Sequence, residues 1–264
     1  MKKISSSHLF FIPVLMFFTL ECVGQNNVKQ GVINDIIFIH GFEYALFELN
    51  DTGQNWAADS NTANNLTCSS QISGLQDCHQ GRDVEFNDNS DGFAGFSFSK
   101  ISASGTVLPS NSTLWSCVKD NVTGLLWEVK TTDGGIHDRN HVYAWGGVTA
   151  IGLNHPQSEG VYLNDWDSLV NDSNSNNFCG RSNWRLPNVT ELFSIVNKGA
   201  QSPAIDTNYF PNTQSNWYWT RTPDAFNPLN AWLIFFDFGS ETGDLRSNQL
   251  YVRLVSTQQL GGTQ

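Results

Sequence analysis

The first strong pattern in the chain is an apolar run from Leu9 to Leu20, preceded by Lys2 and Lys3 and followed by Cys22-Val23-Gly24. A charged start, a short apolar stretch and a small-x-small site read as a secretory signal peptide over 1–24, with cleavage before Gln25. The run holds Pro13 and is too short to span a bilayer, and no later stretch is long and apolar enough for a membrane helix.

Beyond it, Val32 to Leu49 is rich in Ile, Phe, Tyr and Leu and ends at Asn50-Asp51-Thr52-Gly53, which predicts one or two strands and a turn. Asn55 to Ser90 is polar and reads as a long loop. Phe93, Phe96 and Phe98 lead into a strand ending near Ile101, with a turn at Ser104-Gly105. Cys117 to Val129 predicts a hairpin turning between Asp120 and Gly124. Leu163, Trp166, Leu169 and Val170 share one face of a short helix. Asn188-Val-Thr-Glu191 after Pro187 is a capping box opening a helix whose stripe is Val189, Leu192, Phe193 and Val196, with Gly199 as its C-cap. Three aromatic strands follow, over Trp217–Thr220, Ala231–Phe238 and Leu250–Val255, before a flexible tail over 257–264. The chain thus divides into a β-rich N-terminal region over 25–112 and a second domain over 113–256.

Composition narrows the function classes. Aromatic residues make up 12 % and charged residues only 15 %, against a usual charged share of about 25 %. Such a chain folds, and it lacks the Glu, Lys and Leu at helical period that a coiled coil needs. The formal charge is -11, and removal of a leader holding two lysines and one glutamate makes the remainder -12. Without a basic face, nucleic-acid binding is disfavoured.

After cleavage Cys68, Cys78, Cys117 and Cys179 remain, an even number that suggests two disulfides in an oxidising compartment. Three connectivities exist. The favoured one joins Cys68 to Cys78 across a short Asn/Ser-rich loop, and Cys117 to Cys179 between a strand and the approach to a helix. In the chain-entropy model these loops contribute roughly 2.7 and 4.3 kcal/mol.

From Trp115 onward the motifs form a recognisable series. Trp115-x-Cys117-Val-x-Asp120-x-x-Thr123-Gly124-Leu-x-Trp127-Glu128 is followed by Cys179-Gly180-x-x-x-Trp184-Arg185-Leu186-Pro187. Then come Pro203-Ala204-Ile205-Asp206, Tyr209-Phe210-Pro211, Tyr218-Trp219-Thr220, Ala231-Trp232 and Tyr251-Val252-Arg253-Leu254-Val255. Over Trp115 to Ser256 this resembles the Lcl C-terminal domain family, named for a bacterial collagen-like adhesin whose C-terminal domain binds sulfated polysaccharides. The resemblance implies an α+β, C-type-lectin-like fold, with short twisted antiparallel sheets, few helices and long ordered loops. A Trp-Arg-Leu-Pro motif opening a capped helix is similar to one in formylglycine-generating enzymes. In that motif Trp184 and Leu186 pack inward, Arg185 meets loop carbonyls and Pro187 fixes φ ahead of the Asn188 cap.

Candidate chemistry is sparse. Asn87, Asn89 and Asp91, closed by Gly92, copy the first half of a Ca²⁺ loop, although Phe98 stands where the closing Glu belongs. Asp237, Glu241 and Asp244 form a second acidic stretch, and His137 with His141 a weak zinc pair. Trp217 and Tyr218 are candidates for stacking on a sugar. A surface of -12 opposes sulfated polyanions, so that ligand class is not carried over. No Gly-x-Ser-x-Gly, phosphate loop or dinucleotide fingerprint occurs.

The expectation is an exported, non-enzymatic binding or adhesion module. It would be periplasmic, secreted or at the cell surface, with an extracellular glycan or surface protein as partner. The alternatives are a sugar- or protein-modifying enzyme on a formylglycine-generating-enzyme-like scaffold and a structural envelope subunit.

Overall fold

The computed structural model describes residues 38–39, 42–43, 50–61, 63–68, 76–79, 81–86, 88–146 and 166–257. The leader over 1–24 and the tail from 258 lie outside these residues, as do Asn87 and Leu163. Met1–Leu46 form one compact unit and Phe47–Gln264 another. In the first, β1 (Phe38–Ile39) pairs with β2 (Phe42–Glu43) antiparallel.

The second unit is built from short antiparallel sheets and few helices. β5 (Phe98–Ile101), β6 (Cys117–Asp120), β7 (Leu126–Glu128) and β11 (Val255–Ser256) form a four-stranded sheet in the order β11-β7-β6-β5. β8 (Trp217–Pro223), β9 (Asn230–Phe235) and β10 (Ser240–Leu245) form a three-stranded one in the order β10-β9-β8. β5 belongs to the stretch read as the N-terminal region, yet it pairs along its whole length with β6.

Local chemistry explains the connections. The β6–β7 turn forms because Asp120 Oδ1 accepts the N–H groups of Val122 and Thr123 while Gly124 takes φ +73°. The described residues of the polar stretch over 55–90 hold more regular structure than the loop expected. They include a hairpin of β3 (Ala57–Asp59) and β4 (Ala63–Leu66), a 3₁₀ turn at Asp77–His79 and helix α1 (Arg82–Phe86). Helix α2 (Asp167–Ser175) buries Leu169 completely.

Helix α3 (Val189–Phe193) carries the expected capping box: Asn188 Oδ1 accepts Glu191 N–H, and Glu191 Oε2 accepts Asn188 N–H, each over 2.8 Å. The helix ends earlier than its stripe predicts, because Ser194 is the C-cap and its hydroxyl donates back to Glu191 C=O. Gly199 is therefore no cap; its Cα packs against the Gly53 carbonyl, where a side chain has no room.

Two apolar clusters fill the interior. One gathers Phe96, Phe98, Trp127, Leu192, Phe210, Tyr218 and Ile234, and the other Tyr143, Leu169, Trp184, Leu186, Trp219 and Leu254. Tyr218 and Trp219 are neighbours on β8, so strand alternation sends them to opposite clusters and the three-stranded sheet has core on both faces. Disulfides join Cys68 to Cys78 and Cys117 to Cys179, the second pinning β6 to the 3₁₀ turn Phe178–Gly180.

Candidate functional site

Three segments distant in sequence form an open groove of about 710 Å³. They are the loop before β5 (residues 89–93), the approach to β6 (110–115) and the turn 206–209. Two of them are held by their own polar side chains. Asn89 Oδ1 accepts Ala94 N–H at 2.8 Å, and Asp206 Oδ1 accepts Asn208 N–H at 2.9 Å. Cross-links then fix the walls. Trp115 Nε1 donates to Tyr209 C=O at 2.9 Å, and Lys100 Nζ donates to Ser112 C=O at 2.8 Å while standing 3.8 Å from the Trp115 ring centre.

The lining is aromatic and neutral-polar. Phe93 is 41 % exposed, and Ser110, Asn111 and Asn208 present hydroxyl and amide groups to solvent. Lys100 and Asp206 are the charged residues of the lining, and both are buried and engaged. Such a groove offers ring faces for C–H groups and neutral donors and acceptors for hydroxyls, and no carboxylate–histidine or nucleophile–base pair lines it.

A buried network of charged side chains lies elsewhere, inside the core. Glu128 Oε1 accepts Lys130 Nζ and contacts His137 Nδ1, each at 2.8 Å. Its Oε2 accepts Leu254 N–H, and its backbone carbonyl accepts Arg253 NH1. Burial alone would raise the Glu128 carboxyl; the Lys130 charge and the His137 contact outweigh it and hold the group at about 2. Burial pushes the Lys130 ammonium down against the Glu128 charge. Glu128 and Arg253 are fully buried, so this network organises the interior.

The residues singled out from sequence disperse. Tyr218 is fully buried, with its hydroxyl accepting Gln214 N–H, so it shows no face to a sugar and that expectation is corrected. Trp217 remains half-buried at the surface, one ring face stacked on Phe235 at 4.1 Å. Asn89 stands in the groove wall, and Asp91 beside it accepts the Ser97 hydroxyl at 2.5 Å through Oδ2. Glu241 and Asp244 belong to strand β10 rather than to an acidic loop. His137 is tied to Glu128 and stacked on Phe178 at 4.0 Å, while His141 is buried. Arg185 grips the Glu191 carboxylate through two bonds of 2.8 and 2.7 Å, beyond the expected carbonyl contact to Leu186. Among the described residues the one cluster of metal-ligand type is Cys68, Cys78 and His79, whose sulfurs form a disulfide. Sequence reasoning missed the groove, for the 206–209 turn meets the 89–93 and 110–115 segments only in the folded chain. It also missed the Glu128–Lys130 pair, which the charged i, i+2 spacing at the end of an apolar strand signals.

Short antiparallel sheets, a capped helix after Trp-Arg-Leu-Pro and an open groove define a disulfide-linked α+β module. The chain belongs to the Lcl C-terminal domain family, whose model matches residues 116–256. No curated protein and no solved structure matches it. No described helix is long and apolar enough to cross a membrane.

Proposed function

We propose that the protein is an exported, non-enzymatic binding or adhesion module that takes a neutral glycan in the groove between Phe93, Trp115 and the 206–209 turn. The observation that carries this reading is the lining itself, with aromatic walls interleaved with Asn and Ser groups and no free charge. A neutral ligand also suits a chain of formal charge -11. Two disulfides favour export, since such links persist in oxidising compartments. The C-type-lectin-like arrangement is part of the proposal. It is supported by the pairing of Arg185 with Val255, which ties the Trp-Arg-Leu-Pro stretch to the four-stranded sheet. Ca²⁺ at Asn89 and Asp91 belongs to the same reading, because oxygens that accept one hydrogen bond keep a second lone pair for an ion.

A glycan array with and without Ca²⁺, run on the wild type and on Phe93→Ala and Asn111→Ala, tests it. Binding lost in both variants at unchanged melting temperature is the expected result. A blank array in both conditions, or binding untouched by both changes, overturns it.

A further inference from the structure

On a different part of the surface a small pocket of about 170 Å³ sits against the Cys117–Cys179 disulfide, lined by Ile101, Val107, Lys119, Leu126, Cys179 and Arg181 among others. Its floor is apolar: Ile101 and Leu126 are buried, and Val107 stands at the rim, 63 % exposed. Lys119 and Arg181 supply two positive charges, and no Asp or Glu lines the pocket. Among the described residues neither cation has an ion-pair partner, and neither side chain is held by a hydrogen bond. Lys100, Lys130, Arg185, Arg246 and Arg253 are all taken by carboxylates, carbonyls or rings.

The wall that carries Arg181 is rigid. Asn177, Cys179 and Gly180 adopt left-handed φ of 51°, 49° and 69°, and the disulfide anchors the turn to β6. Gly105 closes the other side at φ +90°, where a Cβ would stand 2.8 Å from the Cys179 carbonyl oxygen. Two cations thus remain free beside an apolar floor in a cavity large enough for one branched side chain.

We propose that this pocket binds a carboxylate on a short aliphatic stem. The stem lies against Ile101, Leu126 and Val107, and the carboxylate sits between Lys119 and Arg181. The guanidinium fork suits a carboxylate bidentately, and the two charges together offset its loss of hydration. Two sources share this chemistry: a free branched-chain acid, and the last residue of a peptide chain that ends in an aliphatic side chain.

The test is a ¹H–¹⁵N chemical-shift titration of the disulfide-bonded full chain with four probes: isovalerate, N-acetyl-leucine, N-acetyl-leucinamide and inorganic phosphate. Saturable shifts at the Gly105, Gly124 and Arg181 amides with the two carboxylates are expected, against none with the amide. Tighter binding of N-acetyl-leucine assigns the pocket to chain ends, and tighter binding of isovalerate assigns it to the free acid. Lys119→Gln and Arg181→Gln should each weaken the carboxylates about tenfold, the loss of one charge-assisted contact, at unchanged melting temperature. An equal response to the amide, phosphate binding as tightly as the carboxylates, or affinity untouched by both substitutions overturns the proposal.

Discussion

Lys130 Nζ donates to Glu128 Oε1 over 2.8 Å in the interior, where Glu128 has no exposed surface and Lys130 only 3 %. Glu128 ends β7 and Lys130 lies two residues beyond it, where the Val129 N–H still bonds to the Ser116 carbonyl, so the two side chains meet on one face. Glu128 also meets His137 and takes the Leu254 N–H, and its carbonyl takes Arg253, whose other arm donates to the Thr213 hydroxyl. A single carboxylate thus ties β7 to the strand-like segment that ends in β11 and to the 131–138 loop.

Replacing Glu128 with Gln keeps the shape and removes the charge, which leaves the Lys130 ammonium unpaired in the core. Breaking one partner of a buried pair costs about 3–5 kcal/mol. Urea denaturation of Glu128→Gln should show a loss in that range, and Lys130→Met on the same background should recover part of it. A loss under about 1 kcal/mol in the single variant would mean that water reaches the pair.

The same carboxylate sets an acid limit. Glu128 is held at about 2 in the folded protein, against about 4.3 for a glutamate in an unfolded chain. The folded pKa is the lower one, so the unfolded chain takes up the proton first. The stabilisation is complete above about pH 5 and fades as pH falls toward about 2. Unfolding free energy measured across that window should fall more steeply in the wild type than in Glu128→Gln. Parallel curves would assign the acid sensitivity to other carboxyls.

Much of the fold was legible where a few adjacent residues carry the instruction. The Asp120–Gly124 turn and the Asn188/Glu191 box follow from local hydrogen bonding alone, and both formed as expected. Strand β10 was invisible because Ser-Glu-Thr-Gly-Asp-Leu has no apolar alternation; as an edge strand it is held by backbone pairing to β9. The run Leu250–Val255 misled for the opposite reason. It is apolar apart from Arg253 yet serves four neighbours, with Leu250 pairing to Tyr143, Tyr251 to Tyr218, and Val255 to both Trp127 and Arg185. Tyr218 shows the limit for sites, since an aromatic on a strand reads alike whether it faces solvent or core. The groove was beyond reach, because only the folded chain brings Asn89, Trp115 and Tyr209 to one place.

The Cys117–Cys179 disulfide closes a separation of 62 residues and joins two buried positions. The chain-entropy model assigns a loop of that size about 4 kcal/mol. Cys68–Cys78 spans 10 residues, for which the model gives about 2.7 kcal/mol. Cys117→Ala/Cys179→Ala should therefore lower the urea midpoint more than Cys68→Ala/Cys78→Ala, with a residual bridge present in each case. The reverse order would place more of the stability in the region around β3 and β4 than the core clusters indicate.

Glu191 does two jobs at the start of α3. One oxygen, Oε2, accepts both the Asn188 N–H and Arg185 NH1, while Oε1 accepts Arg185 NH2. Burial would raise this carboxyl, but the Arg185 bonds and the Asn188 N–H prevail and hold it below its usual range. Loss of the cap by Asn188→Ala should cost about 1 kcal/mol. Glu191→Gln retains an acceptor for Asn188 but gives up the bidentate ion pair, half-exposed and so worth only about 1 kcal/mol. The two changes disturb one hydrogen-bonded unit, so the double variant should lose less than the sum of the singles. Thermal denaturation of the four proteins closes the cycle. Strict additivity would mean that cap and ion pair act separately, and that Arg185 is placed by the Trp184 and Leu186 packing on either side of it rather than by Glu191.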